Sequence, residues 1–482
     1  MARTWSGCLV LLGAVLFILL EQSAIVHGDK RWFEAYEQMV DDVSSLVDWN
    51  ETIPLLPGYD CFTGPGFPAP GEEFYFPCEV LPPSDEIPTS AHLVRPADIK
   101  VIAAMGDSLT AANGAGACLL PELIYMYRGL TFSHGGDGTF ETNPSLANIL
   151  RKYNPNLKGY GVRTGNWDSD ESNMNVGYPG DKANDMPHQA RWLVDKMKAK
   201  AEIDFENDWK VVTLFIGGND LCDWCDNPYY YSTDNYVNYI HEALMTLHDE
   251  MPRTIVNVVG ILQVYQVDIL RAPICNFFHW AFCECGMFLT ENELKAFEEI
   301  NIEYQVKMEE AILSGQYDTK DDFTVVLQPF LHNTSVPFKE DGTPDFSYFA
   351  PDCFHFSAKG HAQGGMELWN NMIEPVGGKR TSWNPGSNIS CPTEAFPYIY
   401  TNLNSRGLFT NPPPTEDSGR ACFVRTSLTS VLMVASLTLV LEEESPNWSV
   451  YDSYRRSVIN GCRFNSSNRG GTSNDNASSN DT

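Results

Sequence analysis

Between residues 99 and 373 the chain alternates short, mostly apolar runs with longer stretches of mixed polarity. Lys100-Val-Ile-Ala-Ala104, Met174-Asn-Val176, Val211-Val-Thr-Leu-Phe-Ile216, Ile255-Val-Asn-Val-Val259 and Phe323-Thr-Val-Val-Leu327 are the short runs. Their length and continuous hydrophobicity suit strands covered on both faces. Helical stretches lie between them at about 184–200, 234–250 and 291–314, and a last one follows at about 358–373. Strands that alternate with helices predict an α/β fold with a central parallel sheet. Such sheets bind ligands beyond the carboxyl ends of their strands. No internal repeat is visible.

The flanks have a different texture. Arg3, the apolar run Cys8–Leu20 and the small-residue site Val26-His27-Gly28 read as a secretory signal over residues 1–28. The run is short for a full membrane span. Residues 29–57 suggest a short helical lead. Residues 58–95 are rich in Pro, Gly and aromatics and hold Cys61 and Cys78; they read as irregular chain stapled onto a main domain, 58–380. Residues 381–423 read as a linker. Residues 424–441 are mostly apolar and form a candidate membrane anchor, opposed by their shortness, by Arg425 and by Glu442-Glu-Glu444. Residues 442–482 are polar, and their low-complexity end reads as disordered.

Composition narrows the functions. The net charge is −31 and no Lys/Arg run exceeds two residues, which argues against nucleic acid and against capture of anionic lipid by bulk charge. Removing the signal leaves 12 of 13 cysteines, most of which are expected to pair in an oxidising compartment. Cys222-Asp-Trp-Cys225 lacks thioredoxin-like surroundings and has no second CxxC partner for zinc, so a structural disulfide role is expected, with connectivity open. Sequons at Asn50, Asn333, Asn388, Asn447, Asn465, Asn476 and Asn480 agree with secretion.

Candidate chemistry sits at the strand ends. Met105-Gly-Asp-Ser-Leu-Thr110 follows the first strand, so Ser108 lies where a parallel sheet exposes side chains. A serine hydroxyl needs an adjacent base to become a nucleophile. Pro351-Asp-Cys-Phe-His-Phe-Ser357 offers one: Asp352 and His355 are close enough for the carboxylate to fix the tautomer of the ring and stabilise its cation. His361 has no acid three residues earlier and belongs with the following helix. In Phe215-Ile-Gly-Gly-Asn-Asp220, Asn219 can turn its amide toward a developing oxyanion, and the backbone N–H groups of Gly180 and Ser108 can add two donors. Each segment alone has a plainer reading, as helix cap, buried histidine or turn. The combination carries the weight.

With Ser108, Gly180, Asn219 and His355 in that order, and Asp352 in an Asp-x-x-His pattern, the chain resembles the GDSL, or SGNH, hydrolases. No Gly-x-Ser-x-Gly elbow occurs. Leu93-Val-Arg-Pro-Ala-Asp-Ile-Lys-Val101, Pro351-Asp-Cys-Phe-His-Phe-Ser357 and Leu368-Trp-Asn-Asn-Met-Ile-Glu-Pro-Val-Gly377 are similar to the phospholipase B branch, over about residues 58–380. Gly-Tyr-Pro-Gly-Asp around Gly180 is more polar and stiffer than that branch leads one to expect. The resemblance implies a flavodoxin-like three-layer α/β/α fold. It also implies hydrolysis of fatty-acyl esters in glycerophospholipids and lysophospholipids at membranes or micelles, with no metal or cofactor. Two alternatives stay open: an esterase of the same family acting on retinyl, glyceride or carbohydrate esters, and a catalytically silent surface binding protein. Oligomeric state cannot be read from the residues.

Overall fold

The structure, a computed structural model, describes residues 73–406 apart from 288 and 384. The expected signal, the lead to residue 57, the apolar segment 424–441 and the polar tail lie outside the described residues. So do Cys61 and the sequons at Asn50, Asn447, Asn465, Asn476 and Asn480.

Four strands form one parallel sheet in the order β1-β2-β3-β4: β1 is Ile99–Gly106, β2 Trp209–Phe215, β3 Thr254–Val259 and β4 Phe323–Gln328. Almost every residue in them is buried, as expected for strands covered on both faces. The expected strand at Met174–Val176 is reduced to a bridge on the free edge of β1. Ala104 donates to Met174 O at 3.1 Å, and Val176 donates to Ala104 O at 2.9 Å. Counting that segment second in chain order, the spatial order is 2-1-3-4-5, the flavodoxin-like arrangement, with its ligand crevice where the winding reverses beside β1.

Among the described residues eight α-helices surround this sheet. The helices are α1 Ser108–Ala111, α2 Leu146–Tyr153, α3 Met186–Ala199, α4 Gly218–Cys222, α5 Thr233–Glu250, α6 Pro273–Phe282, α7 Glu291–Leu313 and α8 Ala358–Met372. On one side α3, α5 and α7 pack in a row: Lys198 of α3 binds Glu250 of α5 at 3.0 Å, and Tyr236 of α5 stacks on Tyr304 of α7 at 4.2 Å. On the other side Trp369 of α8 stacks on Tyr153 of α2 at 5.4 Å, and Asn257 of β3 reaches Met372. The side-chain caps are ordinary: Ser232 starts α5, Thr290 and Glu293 form a capping box on α7, and Ser357 starts α8. All of α8 but Lys359 is buried, so it is an interior helix whose first residue follows His355 by three.

The domain body passes the expected boundary at 380. Trp383, Ile389, Ile399 and Thr401 are buried. Ile399 donates to Val94 O at 2.9 Å, and Cys391 is bonded to Cys78. Asn and Ser are abundant there because they pay out hydrogen bonds to the body: Asn404 donates to His92 O at 3.0 Å. Composition alone reads such a stretch as loop. The other disulfides join Cys222 to Cys283, Cys225 to Cys285 and Cys275 to Cys353. The two cysteines of Cys222-Asp-Trp-Cys225 thus bond to a partner segment and not to each other.

Two glycines are needed where β1 and β2 end. Gly106 has φ +149°, and a Cβ there would strike the Phe215 carbonyl and the Thr110 hydroxyl. Gly217 has φ +118° and lies under the Tyr236 ring. Gly106→Ala must therefore strain the backbone and push β1 from β2. Chemical denaturation should show a loss of about 3 kcal/mol or more; an unchanged midpoint would contradict this packing.

Candidate active site

Ser108 opens α1 directly after β1. Asp107 caps that turn, accepting from Leu109 N at 2.9 Å, so the nucleophile candidate is fixed by its own neighbour. Gln189 of α3 fixes the strand end behind it: its Oε1 accepts from Gly106 N and its Nε2 donates to Gly106 O, both at 2.8 Å, and also to Asp181 at 2.7 Å. Burial pushes the Asp107 carboxyl up to about 7, against the lowering pull of the Leu109 N–H and of His355.

The loop before α8 supplies the partners. His355 Nε2 lies 2.8 Å from Ser108 Oγ, and His355 Nδ1 lies 2.6 Å from Asp352 Oδ2. A carboxylate only accepts, so Nδ1 carries the proton and Nε2 is free to accept from the serine hydroxyl. The other Asp352 oxygen accepts from Phe354 N at 2.9 Å and His355 N at 3.0 Å. Burial raises the Asp352 carboxyl, but the His355 charge, its N–H and these two amides outweigh burial and hold it below the usual carboxylate range. All three side chains are buried. His361 stands apart in α8, where its Nδ1 accepts from Phe132 N at 3.3 Å and burial drives its pKa down to about 3.

The remaining two predicted residues meet beside them. Gly180 has φ +81° in a turn whose Tyr178 N donates to Gly106 O at 3.0 Å, at the end of β1. Asn219 Nδ2 donates to Asp181 O at 2.8 Å, the carbonyl next to Gly180. An amide has two hydrogens, so Asn219 keeps one to offer the cleft it lines with Ser108. Asp220 holds this corner: its carboxylate accepts from Ala183 N at 3.0 Å, and burial lifts it to about 7 although that N–H and Lys182 pull it down.

Ser108 and Asn219 open on a cleft of about 800 Å³, mouth included, with walls mostly apolar: Leu262, Val264, Val267, Leu270, Leu331 and Val336 among them. Several parts were not singled out from the sequence. Gln189 is a lone polar residue on a helix and gives no local signal. The cleft walls come largely from a short 3-10 helix at Val264–Ile269 and from the turns at 331–337, too short to show periodicity. The bond from Cys275 to Cys353 depends on connectivity that spacing does not reveal. The arrangement has an activated hydroxyl, an oriented base, amide donors and an apolar cleft. Together these can carry out acyl transfer.

A family model described as GDSL-like Lipase/Acylhydrolase matches residues 102–368. Membrane-associated phospholipase B1 of Homo sapiens is 46% identical over 340 residues, covering 68% of this chain and 23% of the human protein. Its counterpart in Mus musculus is 45% identical with the same coverage. The chain thus spans 23% of the length of these curated relatives. An extracellular lipase from Streptomyces rimosus, known from a crystal structure, is 13% identical with a TM-score of 0.30, covering 56% of this chain and 98% of that one. The family match takes in more than half of the 482 residues and runs from β1 to α8: the chain belongs to the GDSL-like lipase and acylhydrolase family.

Proposed function

We propose that the chain is a serine ester hydrolase that releases fatty acids from glycerophospholipids and lysophospholipids through an acyl-enzyme on Ser108. The observation that carries this reading is the hydrogen-bonded series Ser108–His355–Asp352 at the mouth of an apolar cleft. His355 takes the hydroxyl proton as Ser108 Oγ attacks the ester carbonyl. Asp352 stabilises the imidazolium. The Asn219 amide and the Gly180 and Ser108 N–H groups are the proposed oxyanion donors. The tetrahedral intermediate expels the glycerol-side alcohol, which His355 protonates. Water, deprotonated by His355, then attacks the acyl-enzyme and frees the fatty acid. The residues require neither metal nor cofactor for these steps.

The substrate class rests on the cleft and on the relatives, which are named phospholipases. A wall of aliphatic side chains suits an acyl chain, at about 0.8 kcal/mol per buried methylene. Four disulfides support passage through an oxidising compartment. Among the described residues no helix is long and apolar enough to cross a membrane. Attachment to a membrane, as the relatives' name suggests, would fall to residues 424–441.

Position-labelled phosphatidylcholine tests the reading. Wild type should release labelled fatty acid and take a fluorophosphonate label, and Ser108→Ala should do neither; activity persisting in that variant rejects the nucleophile. Failure of the wild type to label favours a silent binding protein, and preference for retinyl or carbohydrate esters favours the other esterase. Asp352→Asn should lower kcat on the order of 10³–10⁴-fold by losing the productive tautomer. Because Asp352 stays ionised below the usual carboxylate range, the acid side of the wild-type kcat/KM profile should carry no step from this carboxyl at its ordinary value. A carboxylate step near pH 4 would contradict that. Val267→Glu should raise KM for long-chain esters by tenfold or more while leaving acetyl esters within about twofold; equal effects on both would remove the cleft as the acyl site.

A further inference from the structure

Helix α6 contributes no group to the chemistry above, yet it is fastened to the loop that does. Cys275, Phe278, His279 and Phe282 recur at helical spacing and share one face. Two of them converge on Cys353, the residue that follows Asp352. Cys275 is bonded to its sulfur, and His279 Nε2 lies 2.9 Å from its carbonyl oxygen. His279 and Cys353 are both fully buried, and Cys353 holds φ +59°, a conformation side chains rarely adopt. A carbonyl only accepts, so the His279 proton is on Nε2. Phe282 adds an edge-on ring contact to His355, centroids 5.8 Å apart.

The carbonyl of Cys353 and the N–H of Phe354 belong to one planar peptide group. Its oxygen accepts from His279, and its N–H donates to Asp352 Oδ1 at 2.9 Å. A rigid plate therefore connects the two side chains. The disulfide holds Cys353 by its side chain and leaves this plate free to tilt; the His279 bond fixes the tilt. Hydrogen bonds in series through one peptide also polarise one another.

We infer that His279 is a positioning residue for hydrolysis: through the Cys353–Phe354 peptide it holds the Asp352 carboxylate in the orientation that aligns His355 with Ser108. The inference rests on the triad reading given above. Removing the donor lets the peptide rotate about its flanking bonds, so Asp352 loses one amide and His355 drifts from the serine. Cys353 and Phe354 themselves border the cleft, but its aliphatic walls from 262–270 and 331–337 stand on other segments, so KM for lipid should change far less than kcat.

The test compares His279→Phe, which keeps a ring without a donor, with His279→Gln, whose amide nitrogen reaches nearly as far as Nε2. Phosphatidylcholine kinetics and fluorophosphonate labelling rates are measured on each, with intact disulfides verified by thiol counting. His279→Phe should lower kcat and the labelling rate by about 10- to 100-fold with KM within about twofold, and His279→Gln should recover most of the loss. A Phe variant with wild-type kcat, or a Gln variant as impaired as Phe, overturns the inference. If the Phe variant does not fold, His279→Met against His279→Gln makes the same comparison at matched length, and equal rates overturn it. Ser108→Ala is run in parallel: activity that survives it overturns the triad reading whatever His279 does. Serine-dependent activity indifferent to His279 overturns only the positioning role.

Discussion

An imidazole ring can serve a hydroxyl only if its far nitrogen is already committed elsewhere. Here one nitrogen of His355 binds a buried carboxylate at 2.6 Å, and the other meets Ser108 Oγ at 2.8 Å, across 247 positions of chain. That single alignment sets demands on most of the fold. β1 must end at a glycine with positive φ so that Ser108 emerges at once. α8 must begin at a capped turn immediately after His355. The sheet must bring both to the same rim, which the reversal of winding beside β1 achieves.

Burial makes the alignment effective. Charges in a poorly screened interior interact more strongly than in water, and the His355 ring, with two backbone amides behind it, keeps the Asp352 carboxyl ionised despite its isolation from solvent. Asp107 and Asp220, equally buried but without a cationic partner of the same quality, are driven up to about 7. Three acids within one corner thus differ in charge preference because their hydrogen-bond donors differ. The acidic balance of the whole chain also leaves apolar contact, and not bulk attraction, as the means by which a lipid would be held.

Much of this was legible in the residues. The short apolar runs gave β1 to β4 within a few positions, because strands buried on both faces leave no doubt about their polarity. Helices α3, α5, α7 and α8 were legible for a related reason: each is long enough for its pattern to emerge. The run at 174–176 was too short to tell a strand from a bridge. Helices α2 and α6 were missed, since eight to ten residues in mixed or wholly apolar surroundings show little periodicity. Ser108, Asp352, His355, Asn219 and Gly180 could be named because family strings and strand ends coincide at them. Gln189, His279 and the cleft walls could not. Their partners are backbone atoms far away in sequence, and no local pattern encodes a contact to a distant carbonyl.

The bond between Cys78 and Cys391 spans 313 positions and encloses the sheet, the loop that holds Asp352 and His355, and helices α1 to α8 in one covalent ring. Tension applied from outside that ring, through the segments before Cys78 and after Cys391, runs across the sulfur bridge and bypasses the strands between. If the two ends are pulled apart, the load falls on a covalent bond and leaves the hydrogen-bonded ladder of the sheet slack. Tension between the ends then does not fall on the contact of Ser108 with His355 while the bridge is intact.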